Sequence, residues 1–142
     1  MRAAAAALAL ALLAGCSAQE PVAQRTVPVR LGAVDLRVEV AETQEQREQG
    51  LRGRAEVPPG TGMAFPYDEP RPVRFTMAGV DLPLVAVFAR DGRALSVEQL
   101  APCSGSVEEC PLYGPAEAVD LVVEAAPGSL AGVRAGDAVR LG

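Results

Sequence analysis

The stretch Val27–Val40, which reads VPVRLGAVDLRVEV, decides the fold. Apolar and polar residues alternate along both of its halves, and Gly32-Ala33 separates the two. A period of two places the apolar side chains on one face of a strand. A short glycine-containing break between two such runs is typical of a hairpin. The sequence therefore predicts an amphipathic β-hairpin at the start of the folded domain.

Further strands are predicted along the rest of the chain. Leu84–Ala89 is a continuous apolar run, which indicates a strand buried on both faces or the central strand of the sheet. Asp91-Gly92 is a hairpin turn that leads into a strand over Arg93–Leu100. The other segments with strand-like apolar patterns are Met63–Phe65, Val73–Met77, Ala118–Ala125 (with Val119, Leu121 and Val123 on one face) and Ala138–Leu141.

The helical content is predicted to be small. Thr43 as N-cap and Gln46 three residues later form a capping box, and Gly50 suits the end of that helix. Ser129–Val133 is compatible with one more helical turn, and Asp68–Pro70 is expected to be a loop. About seven short strands with one or two short helices predict a mostly β (α+β) domain, a small closed or half-closed β-barrel.

The first residues have the pattern of an export signal. Arg2 is followed by an apolar run that ends at Ala14, which is shorter than the roughly 20 residues of a membrane-spanning helix. Leu12–Cys16 resembles the bacterial lipoprotein box, in which the cysteine thiol receives a diacylglycerol. The leader is then cut before the cysteine, and the new amine takes an acyl chain such as palmitate. The alternative is an ordinary signal peptide with a chance cysteine.

These features predict a division of the chain into three parts. We expect residues 1–15 to be a lipoprotein signal peptide, residues 16–26 a lipidated tether, and residues 27–142 a single β-rich domain. The tether would reach roughly 15–20 Å on average. The expected localisation is export, with a lipid anchor on the cell envelope, either in the outer membrane or on the outer face of the cytoplasmic membrane.

Composition excludes several classes of function. The net charge of −5, which becomes −6 if the leader carrying Arg2 is removed, argues against nucleic acid as a partner. The chain has no histidine, which excludes His-based metal sites and Ser-His or Cys-His catalytic pairs. It also has no lysine, which excludes a Schiff-base lysine and a phosphate-loop lysine.

Two cysteines remain once Cys16 is assigned to the lipid. Cys103 and Cys110 enclose a short, irregular segment, and an even pair in an oxidising compartment predicts a disulfide. Its closure would contribute roughly 2–3 kcal/mol to stability. The alternative is a redox-active or metal-binding pair, although the spacing is not that of a C-x-x-C motif.

Arginines supply the candidate ligand-binding groups. Arg52, Arg54, Arg71 and Arg74 are expected on one side of the fold, where guanidinium groups could bind a carboxylate or phosphate. The alternative is that Arg54 pairs with Glu39 or Asp68 and that the others are solvated. The residues predicted to bind a ligand are Arg54, Arg74, Thr76 and Asp81.

Two other kinds of site receive less support. Met63 and Met77 could coordinate a soft metal such as Cu(I), but Phe65 and Phe75 beside them favour a place in the core. A catalytic pair could be sought among the carboxylates Asp68, Glu69, Asp81, Asp91 and Glu98. We therefore predict no metal, no cofactor and no assigned catalytic residue.

Short motifs follow one another in a fixed order along the chain. They are Glu39-Val-Ala41, Gly50-Leu51 with Arg54, Gly62-Met63-x-Phe65, Phe75-x-Met77, Pro83-Leu84, Phe88-x-x-Asp91-Gly92, Val123-Glu124 with Gly128, and Gly136-Asp137. This ordered set resembles the domain of unknown function 192 family, from about Val27 to Leu141. The resemblance implies a small β-rich domain, often exported, and no catalytic residue carries over from it.

The chain departs from the family pattern at several polar positions. Thr76 stands where the family has Trp, Ala78 and Gly79 occupy polar positions, and Val85 replaces an Asp. Arg52-Gly53 replaces a Met-Phe pair. Any polar pocket that the family shares would therefore be altered in this chain.

These observations favour a membrane-tethered envelope lipoprotein whose domain binds a ligand or partner without catalysing a reaction. The alternative is a hydrolase-type enzyme that uses carboxylate or Arg residues. The expected partners are the membrane, through the lipid, and an envelope protein or anionic ligand near it. The domain is expected to be a monomer.

Overall fold

The computed structural model describes residues 24–142, which form nine β-strands and one helix. The strands are β1 (Thr26–Leu31), β2 (Val34–Val40), β3 (Thr61–Arg71), β4 (Phe75–Thr76), β5 (Leu84–Arg90), β6 (Arg93–Leu100), β7 (Leu112–Tyr113), β8 (Val119–Ala125) and β9 (Val139–Leu141), and the helix is α1 (Gln44–Gln49). The predicted leader and Cys16 lie outside the described residues.

Seven of the strands form one sheet in the order β6-β5-β8-β3-β2-β1-β9. The predicted first hairpin is confirmed, since β1 and β2 pair antiparallel with Val29 opposite Leu36. Gly32 in the turn has a φ of 58°, which favours glycine. β2 and β3 are parallel, and the connection between them contains α1. β4 and β7 form a separate two-stranded ribbon.

The sheet curls until its two ends approach each other. The first residue of β6, Arg93, forms an isolated antiparallel bridge with Ala138, just before β9. The amide of Ala94 donates to the carbonyl of Asp137 at 2.9 Å, and the amide of Val139 donates to the carbonyl of Gly92 at 2.8 Å. The prediction of a mostly β domain with a small half-closed barrel is therefore confirmed.

Two apolar clusters cover the two faces of the curled sheet. We call the cluster on the concave face the barrel core. Its buried members come from both ends of the sheet as well as its middle: Val27, Val29, Leu31, Leu36, Val38, Val40, Ala64, Val85, Val87, Ala89, Ala94, Val123, Ala125, Leu130, Val133 and Val139.

We call the cluster on the convex face the outer core. It fills the space between the sheet and the segments that cover it, and its buried members are Ala41, Leu51, Met63, Phe65, Met77, Val80, Leu84, Ala86, Phe88, Leu100, Val119 and Val122. β5 contributes to both cores and is buried from Leu84 to Ala89, as the apolar run predicted.

The predicted helix is confirmed with its capping box. The Thr43 side chain accepts a hydrogen bond from the Gln46 amide, and the Gln46 side chain accepts one from the Thr43 amide. The predicted helical turn over Ser129–Val133 is instead a series of turns. Among residues 24–142, no helix has the length and apolar character needed to cross a bilayer.

Two strand predictions were wrong in detail. β3 continues through Asp68–Pro70, which the sequence had suggested was a loop, because β3 resumes pairing with β8 at Arg71 after a register shift. Val119 lies in the outer core, whereas Leu121 and Val123 pack in the barrel core. The same irregularity breaks the simple alternation along β8.

Candidate functional site

A cavity of about 480 Å³ opens on the convex side of the sheet. Volumes of roughly 300–1,000 Å³ are typical of small-molecule sites. The cavity lies between α1 with the residues that follow it, the segment from Arg71 to Met77, and the sheet. Its lining residues are Gln44, Arg47, Glu48, Gln49, Gly50, Leu51, Arg52, Phe65, Tyr67, Arg71, Pro72, Val73, Arg74, Phe75, Thr76, Met77, Val80, Leu84 and Glu124.

The inner wall of the cavity is apolar. Phe65 and Phe75 meet edge to face with ring centroids 5.0 Å apart, and Phe75 meets Phe88 in the same way at 5.8 Å. Leu51 and Met77 are buried beside them. The outer core therefore forms a rigid, water-excluding surface for the apolar part of a ligand.

Glu124 places a carboxyl group in this apolar wall. It is the one buried charged residue among residues 24–142, with 5% of its surface exposed. β8 lies between β3 and β5, and Glu124 is paired with Met63 on one side and Ala86 on the other. Burial raises the pKa of the Glu124 carboxyl to about 8. The group is therefore mostly protonated in the empty cavity at neutral pH.

The Glu124 carboxyl is not used by the fold. None of the hydrogen bonds formed by residues 24–142 ends on it, and no charged neighbour contributes to its raised pKa. All fully enclosed side-chain oxygens and nitrogens in this part of the chain have hydrogen-bond partners. Because Glu124 has none and lines the cavity, its oxygens must face the cavity space, where a ligand could reach them.

Tyr67 and two arginines form one side of the cavity. The guanidinium carbons of Arg47 and Arg71 lie 5.9 and 5.8 Å from the centroid of the Tyr67 ring, within the range of a cation–π interaction. Burial raises the pKa of the Tyr67 hydroxyl, and the two arginines act in the opposite direction. Nη1 of Arg47 also donates to the carbonyls of Ala41 and Glu42. These contacts hold Arg47 in place.

Arg52, Arg74 and Thr76 lie at other points of the lining. Nε of Arg52 donates to the carbonyl of Ala78 at 2.9 Å, which leaves its two terminal nitrogens for other partners. Nη1 of Arg74 donates to the carbonyls of Val73 and Pro115. The Thr76 hydroxyl accepts a hydrogen bond from the Ala78 amide at 3.2 Å.

The cavity lining is electropositive on an acidic protein. It contains four arginines against two glutamates, of which Glu124 is mostly neutral at pH 7. The whole chain, in contrast, has a net charge of −5. A local concentration of one sign of charge around a cavity with low-dielectric walls attracts ligands of the opposite sign.

The disulfide supports the wall of the cavity. Cys103 and Cys110 are joined, as predicted, with their Cα atoms 6.0 Å apart. Cys103 forms bridges with Ala78 and Val80, and the Gly79 amide donates to the Cys103 carbonyl at 3.1 Å. Just after the disulfide, β7 pairs with β4, which lines the cavity. Both ends of the disulfide loop are thus attached to the segment from Phe75 to Val80.

A neighbouring groove of about 810 Å³ shares Arg47, Tyr67 and Arg71 with the cavity. Its other lining residues are Arg25, Glu42, Pro66, Asp68, Glu69 and Pro70, which are half-buried or exposed. It holds no buried polar group, and its glutamates and aspartate offset its arginines. The smaller cavity is therefore the candidate site.

The structure separates the four residues predicted to bind a ligand into two groups. Arg74 and Thr76 line the cavity, as do Arg52 and Arg71. Arg54 does not line it and forms a two-pronged ion pair with Glu39, at 2.8 and 2.6 Å, which confirms the alternative reading of this residue. The pair lowers the pKa of Glu39 and raises that of Arg54. Asp81 is exposed and also lies outside the cavity.

The other candidates fall into the core or into turns. Met63 and Met77 are buried in the outer core, and no group of three or more Cys, Asp or Glu within residues 24–142 is arranged to hold a metal ion. Glu98 accepts hydrogen bonds from the Ser96 hydroxyl and the Gly114 amide. Asp91 lies in the β5–β6 turn with a φ of 50°.

Sequence reasoning missed Glu124, Tyr67 and Arg47. The predicted strand over Ala118–Ala125 put Val119, Leu121 and Val123 on one face and assigned no role to Glu124. The segment LVVEAA contains a lone acid among apolar residues, a pattern typical of a strand that is covered on both faces. That pattern could have identified Glu124 as a buried carboxyl.

Together, the curled sheet and the cavity define a small β-barrel-like domain with a ligand-sized cavity on its convex side. Its sequence matches a model of the domain of unknown function 192 family, described as an uncharacterized ACR, over residues 27–141. The chain belongs to this family, whose biochemical role is not established. Among curated proteins, none matches the chain.

Two solved structures share the fold. One is from Sinorhizobium meliloti 1021 and is described as a "putative transcription regulator"; it is 34% identical, with a TM-score of 0.76, covering 86% of this chain and 98% of that chain. The other is a protein of unknown function from Novosphingobium aromaticivorans DSM 12444; it is 26% identical, with a TM-score of 0.74, covering 89% of this chain and 94% of that chain.

Proposed function

We propose that this protein is a membrane-tethered envelope lipoprotein whose domain binds a small ligand carrying an acidic group, without transforming it. The observation that carries the proposal is the cavity itself, which combines an apolar inner wall with arginines from three parts of the chain. The acidic group of the ligand would contact the arginines, and its apolar part would lie against Phe65 and Phe75.

The arrangement of donors supports an acid as the ligand. The Arg71 side chain makes no hydrogen bond to residues 24–142, and the Arg52 side chain uses only its Nε. Several N–H groups therefore remain available at the cavity. Guanidinium groups bind carboxylate or phosphate through two parallel hydrogen bonds, which gives both affinity and orientation.

The sequence around Cys16 supports the tether. A lipid on Cys16 would leave residues 17–25 before β1, which is enough for the domain to lie within roughly 15–20 Å of the bilayer on average. The Cys103–Cys110 disulfide is compatible with an exported protein. The proposed ligand is therefore one present at the surface of the membrane or in the compartment beside it.

The alternative function, a hydrolase-type enzyme, draws on Glu124. A carboxyl group with a pKa of about 8 can act as a general acid or base near neutral pH. Against this reading, the cavity holds no second buried carboxylate, and its lining contains no histidine or cysteine. NMR spectra of a bound probe recorded over days would show new product resonances if the protein were an enzyme.

A transcription regulator that contacts nucleic acid directly needs a basic face. The net charge of −5 does not favour such contact, so we do not propose for this chain the role by which the Sinorhizobium protein is described.

Binding of hexanoate and of its neutral amide, hexanamide, tests the proposed ligand class. The experiment uses the full chain carrying Cys16→Ser, which cannot receive a lipid. We expect hexanoate to bind more tightly than hexanamide, because only the acid pairs with the arginines. The double variant Arg71→Gln/Arg74→Gln should weaken hexanoate binding by about tenfold, whereas Arg140→Gln, on β9 away from the cavity, should not. Equal binding of acid and amide would overturn the proposal.

Fractionation of cells tests the tether. The wild-type protein and a Ser17→Ala control should pellet with membranes at high salt, while Cys16→Ser should be recovered in the soluble fraction. Retention of Cys16→Ser on membranes after a high-salt wash would contradict the lipid anchor.

A further inference from the structure

We propose that the ligand of this cavity is zwitterionic, with a primary ammonium group on Glu124 and an acidic group on the arginines of the mouth. The inference rests on the proposed binding function and names the chemical class of its ligand. It would assign Glu124 to the site and give the cavity two binding poles instead of one.

The position of Glu124 in the sheet gives the first reason. Its paired neighbours Met63 and Ala86 are apolar, and the carboxyl receives no hydrogen bond from residues 24–142. An apolar side chain at this position would suit the fold better, because an unpartnered buried polar group destabilises it. A carboxyl group that is buried, unpartnered and directed into a cavity is a candidate ligand-binding group.

The separation of charges gives the second reason. The groups around Glu124 are Tyr67 on β3, Arg47 and Glu48 on α1, Arg52 after it, Arg71 at the end of β3 and Arg74 on the covering segment. The part of β5 beside Glu124, Leu84–Phe88, is apolar. Arg47 and Arg71 affect the pKa of Tyr67, but burial alone accounts for the raised pKa of Glu124. None of the ion pairs formed by residues 24–142 includes Glu124, so no arginine neutralises its carboxyl by direct contact.

An ammonium group fits Glu124 better than a neutral partner does. A ligand hydroxyl or amide could be bound equally well by a glutamine, which carries no charge to desolvate. An ammonium stabilises the ionised carboxylate through both charge and hydrogen bonds. These interactions offset the free energy that is lost when the carboxylate is removed from water. The arginines would then take the acidic end of the same molecule, and the apolar wall its carbon chain.

Two sources could supply this chemistry. One is a free molecule such as an ω-amino acid, and the other is a lipid head group such as phosphoethanolamine. Both place a primary ammonium and an acid on one short chain, and the cavity of about 480 Å³ accepts either.

Three matched probes test the proposal by calorimetry at pH 7 on the Cys16→Ser chain: 6-aminohexanoate, hexanoate and hexylamine. We expect 6-aminohexanoate to bind more tightly than both others, because it alone engages both poles. We also expect it to release a proton from Glu124 on binding, seen as a dependence of the measured heat on the ionisation enthalpy of the buffer. Its affinity should therefore rise tenfold per pH unit between pH 6 and 7 and level off above pH 8.

Glu124→Gln separates the two poles. The substitution should lower the affinity for 6-aminohexanoate by about thirtyfold or more and abolish the proton release. It should leave the affinity for hexanoate almost unchanged. A thermal melt checks that the variant is folded. The control Glu56→Gln removes an exposed carboxylate that does not line the cavity, and it should change the affinity for neither probe by more than about twofold.

The outcomes separate this inference from the proposed function. If hexanoate binds through the arginines as tightly as 6-aminohexanoate does, the zwitterion is wrong and the acid-binding function stands. If the binding of neither probe depends on the arginines, both the zwitterion proposal and the acid-binding function are wrong. Capture on vesicles containing phosphatidylethanolamine, but not on phosphatidylglycerol vesicles, together with Glu124-dependent binding of free phosphoethanolamine, would support the lipid head group as the source.

Discussion

The barrel core and the outer core are built on the two faces of the same strands, yet they differ in chemistry. The barrel core consists of Val, Leu and Ala side chains that fill the concave face, with no charged member. The outer core contains the aromatic residues and methionines, borders the cavity, and surrounds Glu124. One face of the sheet therefore carries only side chains that pack the fold, while the other face carries a carboxyl group that the fold does not need.

The largest expected effect follows from the ionisation of Glu124. In the unfolded chain its pKa is near 4.5, and burial raises it to about 8 in the folded protein. Between these values the folded state binds one more proton than the unfolded state, so this group lowers stability as pH rises. The loss reaches about 4–5 kcal/mol by pH 8.

Glu124→Gln isolates that effect, because all other titrations remain in both proteins. In urea unfolding followed by circular dichroism, the two proteins should be similar at pH 5. The variant should be more stable than the wild type at pH 8 by about 4 kcal/mol. A difference that does not change with pH would mean that Glu124 is ionised throughout.

A matched pair of leucines compares the two cores directly. Leu31 is fully enclosed in the barrel core, whereas Leu51 borders the cavity. We expect Leu31→Ala to lower the free energy of unfolding by about 3–4 kcal/mol, and Leu51→Ala by about 2 kcal/mol, because part of Leu51 already faces open space. Urea unfolding measures both. Equal losses would contradict the claim that the cores are packed differently.

Removal of the disulfide should affect the outer core selectively. The double variant Cys103→Ser/Cys110→Ser should lose about 2–3 kcal/mol of stability. Because Cys103 is bridged to Ala78 and Val80, hydrogen exchange at Gly79 and Val80 should accelerate more than at Val29 or Val38. Uniform acceleration across the sheet would show that the disulfide does not support the cavity wall in particular.

The smallest effect is expected for the ion pair that lies away from the cavity. The Arg54 and Glu39 side chains are 38% and 32% exposed, so solvent weakens their attraction. Arg54→Gln should cost less than about 1 kcal/mol and leave hexanoate binding unchanged. A marked loss of hexanoate binding would show that Arg54 contributes to the ligand site.

The sequence contained most of the fold. Alternation in Val27–Val40 and the apolar run Leu84–Ala89 predicted a hairpin and a doubly buried strand, and both are present. The capping box at Thr43 predicted the start of the helix. These features are local, so neighbouring residues determine them. The register shift between Pro66 and Arg71 of β3 depends on the pairing with β8, which is distant in sequence, so the sequence did not predict it.

The site could be predicted only in part. Arg52, Arg71 and Arg74 were recognised as candidates because side-chain type alone suggested anion binding, and Thr76 was named as a ligand-binding candidate with Arg74. Glu124 was missed because burial on the outer face of β8 depends on α1 and the covering segment, which are distant in sequence. For Arg54 the sequence left two possibilities open, ligand binding or pairing with Glu39 or Asp68, and the 2.6 Å contact with Glu39 decides between them.

The pKa of Glu124 itself can be measured by NMR from the side-chain carboxyl carbon of ¹³C-labelled glutamate, with Glu124→Gln for assignment. We expect a pKa of about 8 in the free protein and a pKa well below 7 when 6-aminohexanoate saturates the cavity. A pKa near 4.5 in the free protein would contradict this expectation, because the carboxyl would then be solvated or already paired.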